Sequence, residues 1–304
     1  MRVKLIQVTQ NPIDVMWTAA RTCYSEKSPV EMWEESCNHR NTSFMGDWQL
    51  QNYMDELRER TDKHWNLVKK VLDSGHQSIA EHVCFTFAIE GVNRALTHQL
   101  VRHRIGVVYS QQSQRYVNEK SGFEFEVPQS IQKIDELHNE FYALMQHIQN
   151  FYNKAIEYDI KPEDARSVLP NAALSNITLS INLRELIHVC NLRLCTRAQK
   201  EIRDLFKLIV KEVKNIDERL ASYLVPQCDV LGLCTEHQCC GRKPKLSDIM
   251  KGYEEYNYYK NNITPCEFDT LSEDDYNMLM EAIKNPKVNQ KLVEFMKQPN
   301  ILDK

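Results

Sequence analysis

The sequence predicts an α+β protein with an α/β-type core: an antiparallel sheet flanked by long helices, followed by a Cys-rich, mostly helical C-terminal extension. Three observations carry that expectation. CFTFAIEG (84–91) and NITLSIN (176–182) alternate apolar and polar residues, as half-buried strands do. Residues 131–156 repeat apolar side chains at helical spacing. Only 8 glycines occur and none builds a phosphate-cradling loop, so Rossmann and P-loop readings lack support. Antiparallel pairing is then favoured over a βαβ series.

Taken in order, Val3 to Val8 reads as the first strand. Asn11-Pro12 opens a helix, with Asn as cap, Pro at the first helical position and Asp14 in the first turn. Residues 25–62 are polar and lack a clean period, so they read as a surface excursion holding a short helix or two. A helix through His64 to Leu72 stops at Ser74-Gly75. Ser78 and Glu81 match a capping box. In 84–91, Phe85, Phe87 and Ile89 share one face.

Val92 to Arg104 is expected to be a helix ended by Gly106. Gln99 and His103 lie on its apolar stripe, and Arg94, His98 and Arg102 form a second row. YSQQSQRY (109–116) reads as a loop, and FEFEV (123–127) as a strand closed by Pro128. Asn182 with Glu185 caps one later helix, and Thr196 with Gln199 caps another that runs to about Tyr223. A boundary near 225 divides a main domain, 1–225, from an extension, 226–304.

The bulk numbers exclude some functions. The chain is 42% hydrophobic and 26% charged, with a formal net charge of −4. A general nucleic-acid or membrane-surface binder would be strongly basic. The first residues are too polar for a signal peptide and no apolar run approaches ~20 residues, which points to the cytoplasm.

Against that acidic background, 91–118 contains Arg94, Arg102, Arg104, Arg115, His98 and His103 and no Asp or Glu. Guanidiniums about 8 Å apart repel by roughly 2 kcal/mol per pair at an effective dielectric near 20. Either an anion binds there or carboxylates fold over it from elsewhere. Ser110 and Ser113 lack a nearby base and a G-x-S-x-G elbow, so a phosphate-binding loop fits them better than a nucleophile. His188, Arg193, Arg197 and Lys200 make a second acid-free basic window, 186–200, with Arg193 at a helix junction.

Cys228-x5-Cys234-x5-Cys240, with His237 and Cys239 inside, has enough donors for tetrahedral zinc. The spacing is not that of a C-x-x-C finger, and reduced structural thiols stand equally with a metal. A nucleic-acid-binding protein with a Cys/His zinc knuckle is the rival from another class.

RHR (102–104) followed by Ser113-Gln-Arg115-Tyr116 closely resembles the defining motif of the flavin-dependent thymidylate synthases. The likeness extends through GHQSIAEHVCFTF, HQLVRHR, ARSVLP (165–170), INLRELIHVCNLR (181–193) and AQKEIR (198–203), covering most of 1–225 in order. It implies reductive methylation of dUMP to dTMP, with methylenetetrahydrofolate as one-carbon donor and NADPH reducing FAD. It also implies a homotetramer with shared active sites and makes 1–225 the catalytic domain.

Position by position, Ser78, Arg102, His103, Arg104, Asn182, Arg184 and His188 resemble the FAD-binding set. Gln99, Arg102, Gln111, Ser113, Gln114, Arg115, Arg166 and Arg193 resemble the dUMP-binding set. His76 and Tyr116 resemble residues beside the flavin ring, where folate or nicotinamide stacks. The resemblance gives Arg193 electrostatic stabilisation at the uracil carbonyls, and Ser113 binding and activation without covalent attack. No residue is assigned to a metal. One departure is an eight-residue segment, Ile105 to Gln112, where the family usually has seven; the loop is expected to bulge. A member made inactive by that loop is a further alternative.

Overall fold

A computed structural model describes residues 1–36 and 47–251. In chain order the elements are β1 (Arg2–Val8), α1 (Pro12–Thr22), α2 (Pro29–Ser36), α3 (Asp47–Asp73), β2 (Cys84–Asn93), α4 (Arg94–Leu100), β3 (Val107–Gln111), α5 (Gln129–Gln132), α6 (Asp135–Glu157), α7 (Pro162–Ala165), β4 (Leu174–Asn182), α8 (Leu183–Arg193), α9 (Lys200–Lys214), α10 (Glu218–Ala221) and α11 (Gln227–Leu231). The described residues form two compact units: residues 1–36 and 47–194 with 198–224, and residues 195–197 with 225–251.

The first unit is built on a sheet of order β1-β2-β4-β3, antiparallel at every pairing. The alternation in the sequence explains its buried face. Phe85, Phe87 and Ile89 of β2 and Ile177, Leu179 and Ile181 of β4 point into one core. Ile202, Leu205, Phe206, Ile209 and Val213, one stripe of α9, are buried in the same core. Phe123, Met145 and Ala173 form a second, smaller core under α6.

Several elements differ from expectation. Residues 47–62 belong to the 27-residue α3, while 37–46 lie outside the described residues. A largely solvated helix shows little period because few of its positions are buried; ion pairs such as Lys63–Glu59 run along its surface instead. Asn11 adopts a left-handed conformation (φ 50°) with no side-chain cap bond. β2 runs on to Asn93, whose side chain accepts from the Leu96 N–H, so α4 spans only seven residues. Arg102 and His103 therefore lie beyond the helix, not on its rows.

FEFEV contributes a single bridge, Phe125 to Ala173, among the described residues. The expected 131–156 helix is two helices, α5 and α6. Thr196 does not cap α9: Gln199 occupies the cap position without a side-chain bond, and α9 ends at Lys214. Asn182 does cap α8, accepting from the Glu185 N–H at 2.8 Å.

Candidate active site

Two consecutive strand-to-helix junctions, β2–α4 and β4–α8, build the site. Each uses an Asn as cap (Asn93 and Asn182), which fixes the direction of the helix that follows. The chain leaving α4 turns through Arg102, His103 and Arg104 and returns as β3 along β4. Gly106 makes that return possible, with φ at +64°. Its carbonyl accepts from the Asn182 backbone N–H at 2.9 Å, and a Cβ at this position would sit 2.8 Å from the Asn182 Cγ. The β3–β4 register is unbroken from Val107–Ile181 to Gln111–Ile177. Five residues of the eight-residue segment, Val107–Gln111, thus form a regular edge strand with no bulge, and Tyr109, Ser110 and Gln111 lie on it.

At the centre of the turn His103 is buried, and its Nε2 accepts from the Arg193 Nε–H at 3.0 Å. Arg193 also donates to the Gln99 carbonyl at 3.4 Å. Burial, the Arg193 charge and His188 together push His103 down to about 4, so the ring is neutral near pH 7. With Nε2 accepting, the ring proton belongs on Nδ1, which faces the Glu185 carboxylate at 3.6 Å. Burial raises the Glu185 carboxyl, partly offset by His188. Burial likewise lowers Arg193, opposed by the neighbouring Tyr109. The Tyr109 hydroxyl donates to the carbonyls of Leu100 and His103, pinning both ends of the turn. Burial first, then Glu185, keeps that phenol protonated.

The predicted residues fall into three groups. Gln99, His103, His188 and Arg193 come together as above, with the His103 and His188 ring centres 6.3 Å apart. Gln111 donates to Thr97 and Ser175, on α4 and β4. A second group joins Arg115 and Arg166 through Glu163: Arg115 is ion-paired with its carboxylate at 2.9 Å, and Arg166 donates to its carbonyl. Ser113 accepts from the Arg115 N–H and starts the turn that contains buried Gln114. The Arg115 guanidinium lies 5.4 Å from the centre of the exposed Tyr116 ring. In the third group Arg184 pairs with Glu81 on a 3₁₀ turn, Gln77–His82, that also carries Ser78 and follows exposed His76. Glu81 is therefore an ion-pair partner: the cap position of that turn is His76, with no side-chain cap bond.

Carboxylates do fold back, but onto only some of the cations. Arg115, Arg184 and His103 each face one. Arg102 and Arg104 are exposed, and among the described residues neither has an ion pair. Sequence reasoning missed Glu163, Glu185 and Tyr109 as members of the site. Glu185 was visible as the residue three after a capping Asn, whereas Glu163 sits in no motif.

A family model described as "Thymidylate synthase complementing protein" matches residues 4–217. The flavin-dependent thymidylate synthase of Geobacter sulfurreducens is 36% identical over 255 residues, covering 83% of this chain and 98% of that protein. The chain belongs to the flavin-dependent thymidylate synthases. Other members agree: that of Pyrococcus abyssi is 36% identical over 245 residues (78% of this chain, 91% of that protein), and that of Nitratidesulfovibrio vulgaris 37% over 253 (80% and 95%). In fold the chain is similar to a flavin-dependent thymidylate synthase from Helicobacter pylori solved with FAD and dUMP. The TM-score is 0.52 at 23% identity, over 74% of this chain and 100% of that one. Nothing in these likenesses favours the nucleic-acid-binding reading. Among the described residues no helix is long and apolar enough to cross a membrane.

Proposed function

We infer that this chain carries its family's activity, the reductive methylation of dUMP to dTMP, as an FAD-dependent thymidylate synthase. The observation that carries this reading is the turn 102–104, where two exposed arginines, without ion pairs among the described residues, flank a buried, neutral histidine. Such a donor set suits a ligand bearing phosphates and an aromatic ring system, as FAD and dUMP both do. Arg102, Arg104, Arg184, His103, His188, Asn182 and Ser78 are proposed to hold FAD. The Arg184–Glu81 pair is half exposed, and such pairs contribute about 0–1 kcal/mol, so a phosphate can displace it.

Gln99, Arg102, Gln111, Ser113, Gln114, Arg115, Arg166 and Arg193 are proposed to hold dUMP. FAD, when bound, supplies hydride-transfer chemistry. The chain's own work is orientation and charge. Arg193, held by the neutral His103 ring through Nε and by the Gln99 carbonyl through Nη2, keeps its other N–H groups for the uracil carbonyls, where a fixed cation stabilises developing negative charge. Ser113, already in a turn with the Arg115 N–H, binds and polarises the nucleotide without covalent attack. His76 and Tyr116, both exposed, offer ring surfaces beside the flavin.

Methylenetetrahydrofolate as one-carbon donor, NADPH as reductant and a cytoplasmic location complete the proposal. Residues 1–225 are proposed as the catalytic domain, acting within a homotetramer with shared active sites. A seven-residue repeat of exposed apolar residues on and just beyond α6, Leu137, Leu144, Phe151 and Tyr158, supports such an assembly. Tritium release from dUMP labelled at C5, with methylenetetrahydrofolate present, tests the reading. Release that requires both FAD and NADPH is the expected result. A flavin-binding protein that releases none would instead be an inactive member.

A further inference from the structure

Outside the nucleotide site, the second unit brings together thiols that are far apart in sequence. Residues 195–197, the link between α8 and α9, group with residues 225–251. Cys195 and Cys228 interact electrostatically, as do Cys228 and Cys234, and Cys234 lies within hydrogen-bonding reach of Cys239. All four are reduced thiols, buried or half-buried. Cys240 also interacts with Cys228, but it and His237 are exposed.

Among its described residues this unit has little hydrophobic core: of residues 225–251, Pro226, Leu233 and Cys234 are buried. So poorly buried a stretch gains from a staple that holds it in one conformation. Its backbone is nevertheless specific. Cys234 is bridged to Lys245, donating to the Pro244 carbonyl at 2.7 Å and accepting from the Leu246 N–H at 2.9 Å.

Cys234 and Cys239 are separated by four residues, within the usual C-x₂₋₄-C range for zinc. The Cys239 Sγ accepts from the Gly241 N–H at 3.3 Å, and Gly241 has φ at +82°. The Cys234 sulfur accepts from the N–H of Glu236, also two residues ahead. In both turns a backbone N–H reaches the sulfur two residues back, and the Cys239 thiol also donates to the Lys243 carbonyl at 3.3 Å; such contacts orient a sulfur in the way that outer-shell partners orient metal ligands.

We propose that Cys195, Cys228, Cys234 and Cys239 form a structural four-thiolate zinc site that ties the C-terminal extension to the α8–α9 link. Four sulfurs and no open position suit a closed tetrahedral zinc site. The thiols interact in pairs, and Zn–S bonds of about 2.3 Å would draw all four inward. Among the described residues, the one group whose donor atoms already lie within 4.8 Å of one another is His103, Glu185 and His188. Arg193 donates to His103 Nε2 and places a cation against that group, so it is a poor metal site and belongs to the nucleotide cleft.

The test uses the full chain, purified without chelator, and metal analysis by mass spectrometry. About one zinc per chain is expected. Cys228→Ser and Cys239→Ser should each lose most of it, while Cys240→Ser and His237→Ala keep it. Replacement of zinc by Co²⁺ gives a second readout that does not depend on variants folding: a sulfur-to-cobalt charge-transfer band with tetrahedral d–d bands. Absence of both bound zinc and that band would overturn the proposal. A disulfide among these four cysteines, or zinc retained by the Cys228→Ser/Cys239→Ser double variant, would overturn it too. The readouts need neither flavin nor turnover, so the site and the proposed activity fail or stand separately.

Discussion

Two arginine environments in the first unit are built on opposite plans. At the α10 corner, Arg219 donates from Nε and Nη2 to Asp217 and from Nη1 to Asp62 at 2.9 Å, and its guanidinium lies 5.9 Å from the centre of the Trp65 ring. Each nitrogen of that cation is bonded to a carboxylate, and a third of the side chain stays in solvent. In the turn after α4, Arg102 and Arg104 are exposed with no ion pair among the described residues, and the histidine between them is buried and kept neutral. An arginine that ties elements together is paired with carboxylates of its own chain. Those proposed to meet a ligand are left open, and the fold's bonds go to the backbone around them, through Tyr109, Asn182 and Gly106.

That contrast breaks or sharpens under four measurements. Arg193→Ala should cost the most, lowering kcat/KM by about a hundredfold or more in steady-state dUMP turnover, with little change in melting temperature. An active Arg193→Ala enzyme would remove the electrostatic role assigned to it. Arg102→Ala or Arg104→Ala should weaken FAD binding by roughly ten- to a hundredfold in fluorescence titrations, the size of one lost charge-assisted bond, again without loss of stability. If either change unfolds the protein, the open arginines are structural after all.

The third concerns pH. His103 sits at about 4 in the folded chain against an ordinary 6.5, so the unfolded chain takes up its proton first. Its contribution is complete above pH 6.5 and falls away as pH drops towards 4. The expected loss is on the order of a hundredfold in the folding constant across that window. Urea titrations of wild type and His103→Asn should differ there and run parallel above it. Smallest is Arg219→Ala, which should cost about 1 kcal/mol of stability with kcat unchanged. A loss of turnover larger than the loss of folded protein would erase the distinction between the two plans.

What the sequence made legible follows the same divide. The central strands could be read because Phe85, Phe87 and Ile89, and Ile177, Leu179 and Ile181, face one core, and burial writes a period of two. The edge strand β3 could not, since VVYSQ pairs on one side only and its side chains are at most half-buried. Arg102, Arg104, Arg115 and Arg193 were legible in acid-free windows, whereas Arg166 and Arg184 lie outside them. Their partners were not legible: Glu81, Glu163 and Glu185 reach Arg184, Arg115 and His103 across 103, 48 and 82 positions, a relation that no local pattern records.

Gly106 has a consequence for how this protein can vary. The positive φ alone penalises most side chains there, and a Cβ would also displace the Asn182 amide that caps α8. One substitution would thus disturb the return from the arginine turn and the start of the helix carrying Arg184, His188 and Arg193. In a library mutagenised at random and selected for thymidine independence, codon 106 should survive only as synonymous glycine. Codon 108, on the short strand that follows and with Val108 open to solvent, should drift freely.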